Sequence, residues 1–237
     1  MGFPPVCPHD PIEQISDDLF MARGSVRLNP IVRITRNMAI VRDQGELTLI
    51  NPIRLSDAEL TRLESLGPVK HVLRMGAMHG MDDPFYMDRY QPTFWCQEGG
   101  TLYSEPAIDR TLQEGGDLPF ANAKLFCFRK TKEPECAVLL ESGRGTLLTT
   151  DGIQHYGDYS HNNLPARLLL PFLGFAKTTL LGPIWLKVMT PEGDTLRDEF
   201  DRLLELEFDA LLSAHGTFLE RGAHEAVRSA VDKALPR

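Results

Sequence analysis

Short apolar runs separated by turn residues occupy the first quarter of the chain. Residues 43–46, Asp-Gln-Gly-Glu, have the composition of a hairpin turn between two such runs. The pattern predicts a β-meander, with strands over residues 19–22, 31–35, 38–42 and 47–50.

A helix and a further strand are predicted directly after the meander. Ser56 with Glu59 three residues later is typical of a helix N-terminus, and Gly67-Pro68 is a stop signal. Residues 69–75 then have the composition of a buried strand. Strand, helix and strand in this order predict a crossover unit, so residues just past 75 lie at the carboxyl end of a sheet, where sites of layered α/β folds are usually found.

The rest of the chain repeats these elements without an internal repeat or a linker. An apolar stripe at helical spacing begins near Thr195, and another predicts a closing helix over 223–235. The segment 164–189 is rich in Leu and Phe and predicts a helical insertion within 160–192. We therefore predict one domain over residues 1–237, with further strands at 94–97, 123–128, 137–140, 146–150 and 210–213.

Composition narrows the class of protein. The net charge of −8 argues against a nucleic-acid binder, because phosphate binding needs a concentrated basic surface. The four cysteines show no CxxC spacing, which excludes a zinc ribbon and a dithiol redox motif. No secretory signal is recognised, and Arg167 and Lys177 interrupt the apolar segment, so we expect a cytoplasmic protein without a membrane span.

Histidine and aspartate residues follow three of the predicted strands. His79 comes after the strand at 69–75, Asp151 after the strand at 146–150, and His215 after the strand at 210–213. Strand ends on one rim of a sheet sandwich bring together ligands that are distant in sequence, and His and Asp suit zinc, iron or manganese. The sequence therefore predicts a metal site at this rim.

These motifs, in this order, resemble the metallo-β-lactamase superfamily over most of the chain. The HxHxDH motif of that family falls on residues 79–84, where His79 and Asp83 match, and Met81 and Pro84 replace two histidines. Asp151 resembles the metal-bridging aspartate, and His215 resembles the late histidine. The resemblance implies a four-layer αββα sandwich with His79, Asp83, Asp151 and His215 as metal ligands.

Three further residues are candidate ligands. Glu135 lies near the position of the family's next histidine, and Asp82 competes with Asp83 because the register of a degenerate motif is open. His155 follows Asp151 by four residues and is either a replacement ligand or a loop histidine. The loop interpretation is favoured for His161.

The implied activity is metal-dependent hydrolysis of an ester, amide or phosphoester of a small molecule, with Asp83 and Asp151 as catalytic residues. One ion is expected rather than two, either zinc or iron or manganese. A metal-free binding or scaffold protein is the alternative, because Met81 and Pro84 are poor ligands. A non-haem iron protein is a third interpretation, because some family members bind two irons. Those members use a carboxylate at the position of Met81, so Met81 counts against this interpretation.

The predicted insertion has two possible roles besides ordinary packing on the sandwich. It covers the metal cleft, with Phe172, Phe175 and Trp185 lining an apolar substrate pocket, or it forms a homodimer contact. A closed two-fold dimer is the expected arrangement, because the segment would otherwise expose a large apolar patch.

Overall fold

The first sheet combines an antiparallel meander with a parallel half. In the computed structural model, which describes residues 2–236, its seven strands are hydrogen-bonded in chain order. Neighbours from β1 to β4 are antiparallel, and those from β4 to β7 are parallel. The strands are β1 (Glu13–Gln14), β2 (Leu19–Arg27), β3 (Arg33–Asp43), β4 (Glu46–Ile50), β5 (Val69–Arg74), β6 (Thr93–Cys96) and β7 (Arg110–Thr111). Helices α1 (Asp57–Leu66) and α2 (Asp83–Tyr90) follow β4 and β5.

The second sheet carries the later part of the chain. It contains β8 (Ala123–Cys127), β9 (Cys136–Leu140) and β10 (Thr146–Thr149), while β11 (Ile153–His155) pairs with β12 (Thr179–Leu181) as a separate ribbon. The last strand, β13 (Ala210–Ser213), lies beside β10 and runs parallel to it. The remaining helices are α3 (Leu164–Leu169), which continues into a 3₁₀ turn (Leu170–Leu173), α4 (Pro183–Met189), α5 (Arg197–Leu203) and α6 (Ala223–Ala234).

Three apolar layers hold the sheets and helices together. Between the sheets, Leu73 of β5 belongs to the same buried cluster as Val138 of β9. Outside the first sheet, Leu63 of α1 and Tyr86 of α2 cover its other face. Outside the second sheet, α4, α5 and α6 bury a third layer that includes Phe200. The layers are therefore helix, sheet, sheet and helix, which confirms the predicted αββα sandwich.

Strand β3 departs from the sequence-based prediction, which divided it into two strands. The division fell at Arg36 and Asn37, two polar residues in an apolar run. Both side chains are buried, and Asn37 donates to the carbonyl of Ser213 at 2.8 Å. A polar residue inside a strand is tolerated where its hydrogen bonds are satisfied, so the strand continues through this point.

The segment predicted as a helical insertion is only partly helical. Its helices α3 and α4 are separated by β12, which completes the two-stranded ribbon with β11. Trp185 of α4 is buried in the layer outside the second sheet, whereas Phe172 is 89% exposed.

A buried ion pair ties the end of β5 to the start of α2. Arg74 donates from Nε to Oδ2 of Asp83 at 2.6 Å, and both side chains are almost fully buried. Arg74 also donates to the carbonyl of Glu105 at 2.8 Å. Removing one partner of such a pair leaves a buried charge without its counter-ion.

We expect Asp83→Leu to lower the free energy of unfolding by about 3 kcal/mol, because Arg74 is left buried and unpaired. The double substitution Arg74→Met/Asp83→Leu should recover part of this loss. Denaturant unfolding measures both effects. Arg89→Met, which breaks the exposed pair with Glu64, serves as the control and should cost less than about 1 kcal/mol. A loss for Asp83→Leu no larger than that of the control would contradict the prediction.

Candidate metal centre

The ends of three strands bring His79, Asp151 and His215 together. Strands β10 and β13 are parallel neighbours with Thr149 opposite Ser213, so the residues that follow them emerge side by side. His79 reaches the same point from the loop after β5. The ligand atoms of these three side chains all lie within 4.8 Å of one another.

Asp151 occupies the middle of the cluster. Its Oδ2 lies 2.9 Å from Nε2 of His79, and its Oδ1 lies 2.9 Å from Nε2 of His215. Burial raises the pKa of Asp151, but its interactions with the imidazoles of His79 and His215 outweigh burial and hold the pKa well below its usual value. The carboxyl group is therefore an anion with one histidine on each oxygen.

The proton on His215 is assigned by its second hydrogen bond. Its Nδ1 lies 2.6 Å from the carbonyl oxygen of Thr35, which can only accept, so Nδ1 carries the proton. In a neutral imidazole, Nε2 then presents a lone pair to the carboxylate. Two acceptors at 2.9 Å need a cation between them, either a proton or a metal ion. This orientation by a backbone carbonyl is typical of histidines that ligate metals.

His79 is buried in a way that keeps it neutral. Burial lowers its pKa to about 4, and the charge of Arg36 contributes to the lowering. Its Nδ1 is buried and has no hydrogen-bond partner. A neutral imidazole beside an anionic carboxylate is the protonation state that a metal ligand requires. The donor set therefore fits a divalent metal ion.

The acidic residues of the 79–84 motif lie outside this cluster. Asp83 is held by Arg74, and burial raises its pKa to about 6 in spite of that partner. Asp82 is buried at the start of α2, and burial raises its pKa although Arg36 and Arg54 oppose the shift. The structure thus brings together three of the four predicted ligands and places Asp83 in the ion pair described above.

The other candidate ligands are also outside the cluster. Glu135 is fully buried against Gly76, and burial, reinforced by the charge of Asp151, raises its pKa well above its usual value. His155 lies in β11, where Nδ1 is 2.8 Å from Oγ1 of Thr179. His161 pairs with Asp10 at 2.8 Å.

An apolar cavity of about 280 Å³ opens beside the three residues. His79, Asp151 and His215 contribute its polar wall, and the predicted pocket residues Phe175 and Trp185 line it. Phe172, the third predicted pocket residue, is not among the lining residues, because the 3₁₀ turn directs it to solvent. Its other walls are Val26, Leu28, Val32, Ile34, Met78, Met81, Leu169, Leu170, Leu173 and Ile184, among others.

Arg36 was missed by the sequence analysis. Its side chain is buried and lines the cavity, Nη2 donates to the carbonyl of His79 at 3.1 Å, and Nε has no partner. A signal existed in the sequence, because Arg36 shares a strand face with Ile34 and Met38. A charged residue at an otherwise apolar position of a strand is a functional candidate once the strand is recognised as continuous.

Solved structures of metallo-β-lactamases share this arrangement of elements. A structure of DIM-1 metallo-β-lactamase superposes with a TM-score of 0.67 at 12% identity, over 97% of this chain and 100% of that chain. The protein has the metallo-β-lactamase fold. FIM-1 from Pseudomonas aeruginosa, in its mono-zinc form, has this fold too (TM-score 0.66, 12% identity, 98% of this chain and 99% of that chain). The enzyme from Erythrobacter litoralis gives a TM-score of 0.58 at 13% identity, over 94% and 92% of the two chains.

Similarity at the level of sequence is much weaker than this shared metallo-β-lactamase fold. Neither a protein-family model nor a curated protein matches the chain. Among the residues that the structure describes, no helix has both the length and the apolar character needed to cross a membrane.

The neutral state of His79 predicts a pH dependence of stability. The pKa of His79 is about 4 in the folded protein, compared with the ordinary value of 6.5. Between these two pH values, the unfolded chain therefore binds a proton at this residue and the folded protein does not. Stability from this residue is therefore complete above pH 6.5 and declines as the pH falls towards 4, by up to about 3 kcal/mol.

The measurement is the free energy of unfolding in chelator as a function of pH, for wild type and His79→Gln. The difference between the two curves isolates this residue from the buried acids, whose raised pKa values act in the opposite direction. A difference that stays constant across the interval would show that folding does not lower the pKa of His79.

Proposed function

We propose that this protein is a metal-dependent hydrolase of an apolar small-molecule ester, amide or phosphoester. The observation that carries the proposal is the Asp151 carboxylate placed between Nε2 of His79 and Nε2 of His215, in the wall of an apolar cavity. The metallo-β-lactamases with the same fold support a hydrolase at this rim.

Two imidazole nitrogens and one carboxylate oxygen are the donors expected for a single catalytic zinc ion, and iron or manganese accept the same types. Three protein ligands leave a coordination position open. Asp83, Asp82, Glu135 and His155 lie outside the cluster, so the proposal assigns one ion and no second set of ligands. The mono-zinc form of FIM-1 is consistent with one ion on this fold.

When bound, a divalent ion supplies Lewis-acid polarisation of a carbonyl or phosphoryl oxygen and lowers the pKa of water. The residues of the chain would attract the cation, orient its ligands and bind the substrate. Asp151 supplies the negative charge that attracts the cation, and the carbonyl of Thr35 accepts from Nδ1 of His215, which leaves Nε2 as the atom that would bind the metal. Arg36 lines the same cavity, and its positive charge favours an anionic or carbonyl group of the substrate there. No contact with substrate is assigned to Asp83.

The residues that line the cavity indicate the chemical character of the substrate. Aliphatic and aromatic side chains form most of the lining, and a few polar groups converge at one side. This combination is typical of a pocket that holds an apolar group and orients one reactive bond. Phe175 and Trp185, which are buried and line the cavity, provide rigid walls.

A metal-free binding protein is the second candidate, because one observation favours it. Met81 lines the cavity at the position where the family motif has its second histidine. The two histidines and Asp151 also satisfy one another by hydrogen bonds, provided that a proton is shared. Direct measurement of metal binding separates the two candidates.

We expect wild-type protein purified without chelator to contain about one equivalent of zinc, iron or manganese per chain, measured by mass spectrometry. Asp151→Asn should lose the metal, because the substitution removes the anionic ligand and leaves an amide. Asp83→Asn is the matched control and should retain it, since Asp83 pairs with Arg74 rather than with the cluster. Calorimetric titration of the chelator-treated proteins with zinc gives the affinities, and circular dichroism confirms that both variants are folded.

Loss of metal from both variants would reinstate Asp83 as a ligand. Absence of metal from the wild type, together with no heat on zinc titration, would favour the metal-free binding protein.

Hydrolysis is tested with nitrophenyl esters whose acyl chains increase in length. The proposal expects turnover by the metal-loaded wild type, at least a hundredfold loss in Asp151→Asn, and a KM that falls as the acyl chain fills the apolar cavity. A Phe175→Ala variant should raise KM for the longer esters more than for the acetate. Metal binding without turnover of esters, amides or phosphoesters would contradict the hydrolase and leave the metal site standing.

A further inference from the structure

Large apolar side chains are exposed around the mouth of the cavity. We call this surface the rim patch; its members are Leu28, Ile31, Leu164, Leu168, Phe172 and Ile184. Phe172 is 89% exposed, and Leu164 and Leu168 are 68% and 63% exposed. Apolar residues exposed singly need no explanation, but a group of them beside a cavity marks an interaction surface.

Hydrogen bonds make the two parts of the rim patch continuous. Asn163, just before α3, donates from Nδ2 to the carbonyl of Ile31 at 2.7 Å, and its backbone N–H donates to the carbonyl of Arg33 at 3.0 Å. The hairpin between β2 and β3 is thereby joined to the α3 segment. Leu28 on the hairpin and Ile184 on α4 are exposed and also line the cavity. The cavity therefore opens onto the rim patch.

The α3 segment is apolar on two sides. Ala166 and Leu170 are buried and line the cavity, which accounts for one side. Leu164, Leu168 and Phe172 recur every four residues and are directed to solvent. The internal packing does not use this second stripe, so its apolar character is explained only by something outside the chain.

The charges on these elements are all positive. Residues 19–42 and 159–191 contain eight Lys and Arg and no Asp or Glu, in a chain whose net charge is −8. Arg27, Arg167, Lys177 and Lys187 are exposed among them. Neither segment contributes an acidic side chain of its own; among the acids that reach them are Asp158, which pairs with Arg23, and Asp10, which pairs with His161.

We propose that the rim patch docks on the surface of an anionic lipid bilayer. Exposed Leu and Phe side chains flanked by Lys and Arg are what interfacial binding requires, because the apolar groups enter the acyl boundary while the bases contact lipid phosphates. Docking in this orientation places the mouth of the cavity against the lipid. The proposal does not depend on a metal ion or on hydrolysis.

A second copy of the chain is a poorer fit to this surface. In a closed two-fold dimer the same patch faces itself, so the basic residues that surround it would also face one another. Like charges opposed across an interface are unfavourable. An anionic bilayer complements both the apolar and the basic part of the surface.

Vesicle sedimentation tests the proposal with the full chain. Wild-type protein should sediment with vesicles of phosphatidylcholine and phosphatidylglycerol in equal parts, and remain in solution with phosphatidylcholine alone. High salt should weaken binding, because it screens the basic residues. Lys177→Gln/Lys187→Gln should reduce partitioning by roughly thirty-fold, at about five-fold for each base near an anionic surface. Leu168→Asp/Phe172→Asp should abolish it.

Leu102→Asp/Ile108→Asp, which changes two exposed apolar residues outside the rim patch, is the matched control and should bind as wild type does. Circular dichroism checks that all variants are folded. Absence of wild-type binding to anionic vesicles would overturn the proposal, and so would binding that the rim-patch variants do not weaken. Sedimentation velocity on the same samples tests whether a second copy of the chain occupies the rim patch instead. If the wild type does not bind lipid but forms a dimer, and Leu168→Asp/Phe172→Asp dissociates that dimer, the rim patch is a contact between two copies.

Discussion

The candidate site depends on the contacts of the Asp151 carboxylate with His79 and His215. Asp151 is the only member of the described cluster that contacts both histidines, and each histidine comes from a different strand end. Nε2 of each histidine lies 2.9 Å from one oxygen of this carboxyl group, in the wall of a largely apolar cavity. Such a group is costly to bury unless a cation accompanies it. The geometry therefore calls for a cation, either a proton or a metal ion, between the carboxylate and the histidines.

The fold and the centre of the site were predictable because they follow from local signals. Asp151 and His215 each come directly after a short apolar strand, and parallel neighbours in a sheet bring such positions together. His79 was identified by the same argument. The resemblance of these motifs to a known family then selected the four-layer sandwich from among the layered α/β folds.

The pairing of Asp83 with Arg74 shows where local signals are insufficient. The position of Asp83 in the motif predicts a metal ligand, but the role of a carboxylate depends on which side chains lie beside it in the folded protein. Arg74, at the end of β5, was treated as part of an apolar strand, and its pairing with Asp83 is a contact between two elements that periodicity does not reveal. Arg36 was missed for a related reason, because a charge inside an apolar run was interpreted as a break. Burial of a charged side chain is a property of the tertiary structure.

Strand β3 contacts the site through three consecutive residues. The backbone carbonyl of Thr35 holds His215, the side chain of Arg36 reaches the backbone of His79, and the side chain of Asn37 holds the carbonyl of Ser213. Successive side chains of a strand point to opposite faces, so a slip of one residue in the pairing with β2 would exchange all three roles at once. The length of the loop between β2 and β3 therefore fixes the pairing register on which these three contacts depend. A change in this length would displace the hydrogen bonds to His215, His79 and Ser213 together, without altering any residue of the cluster.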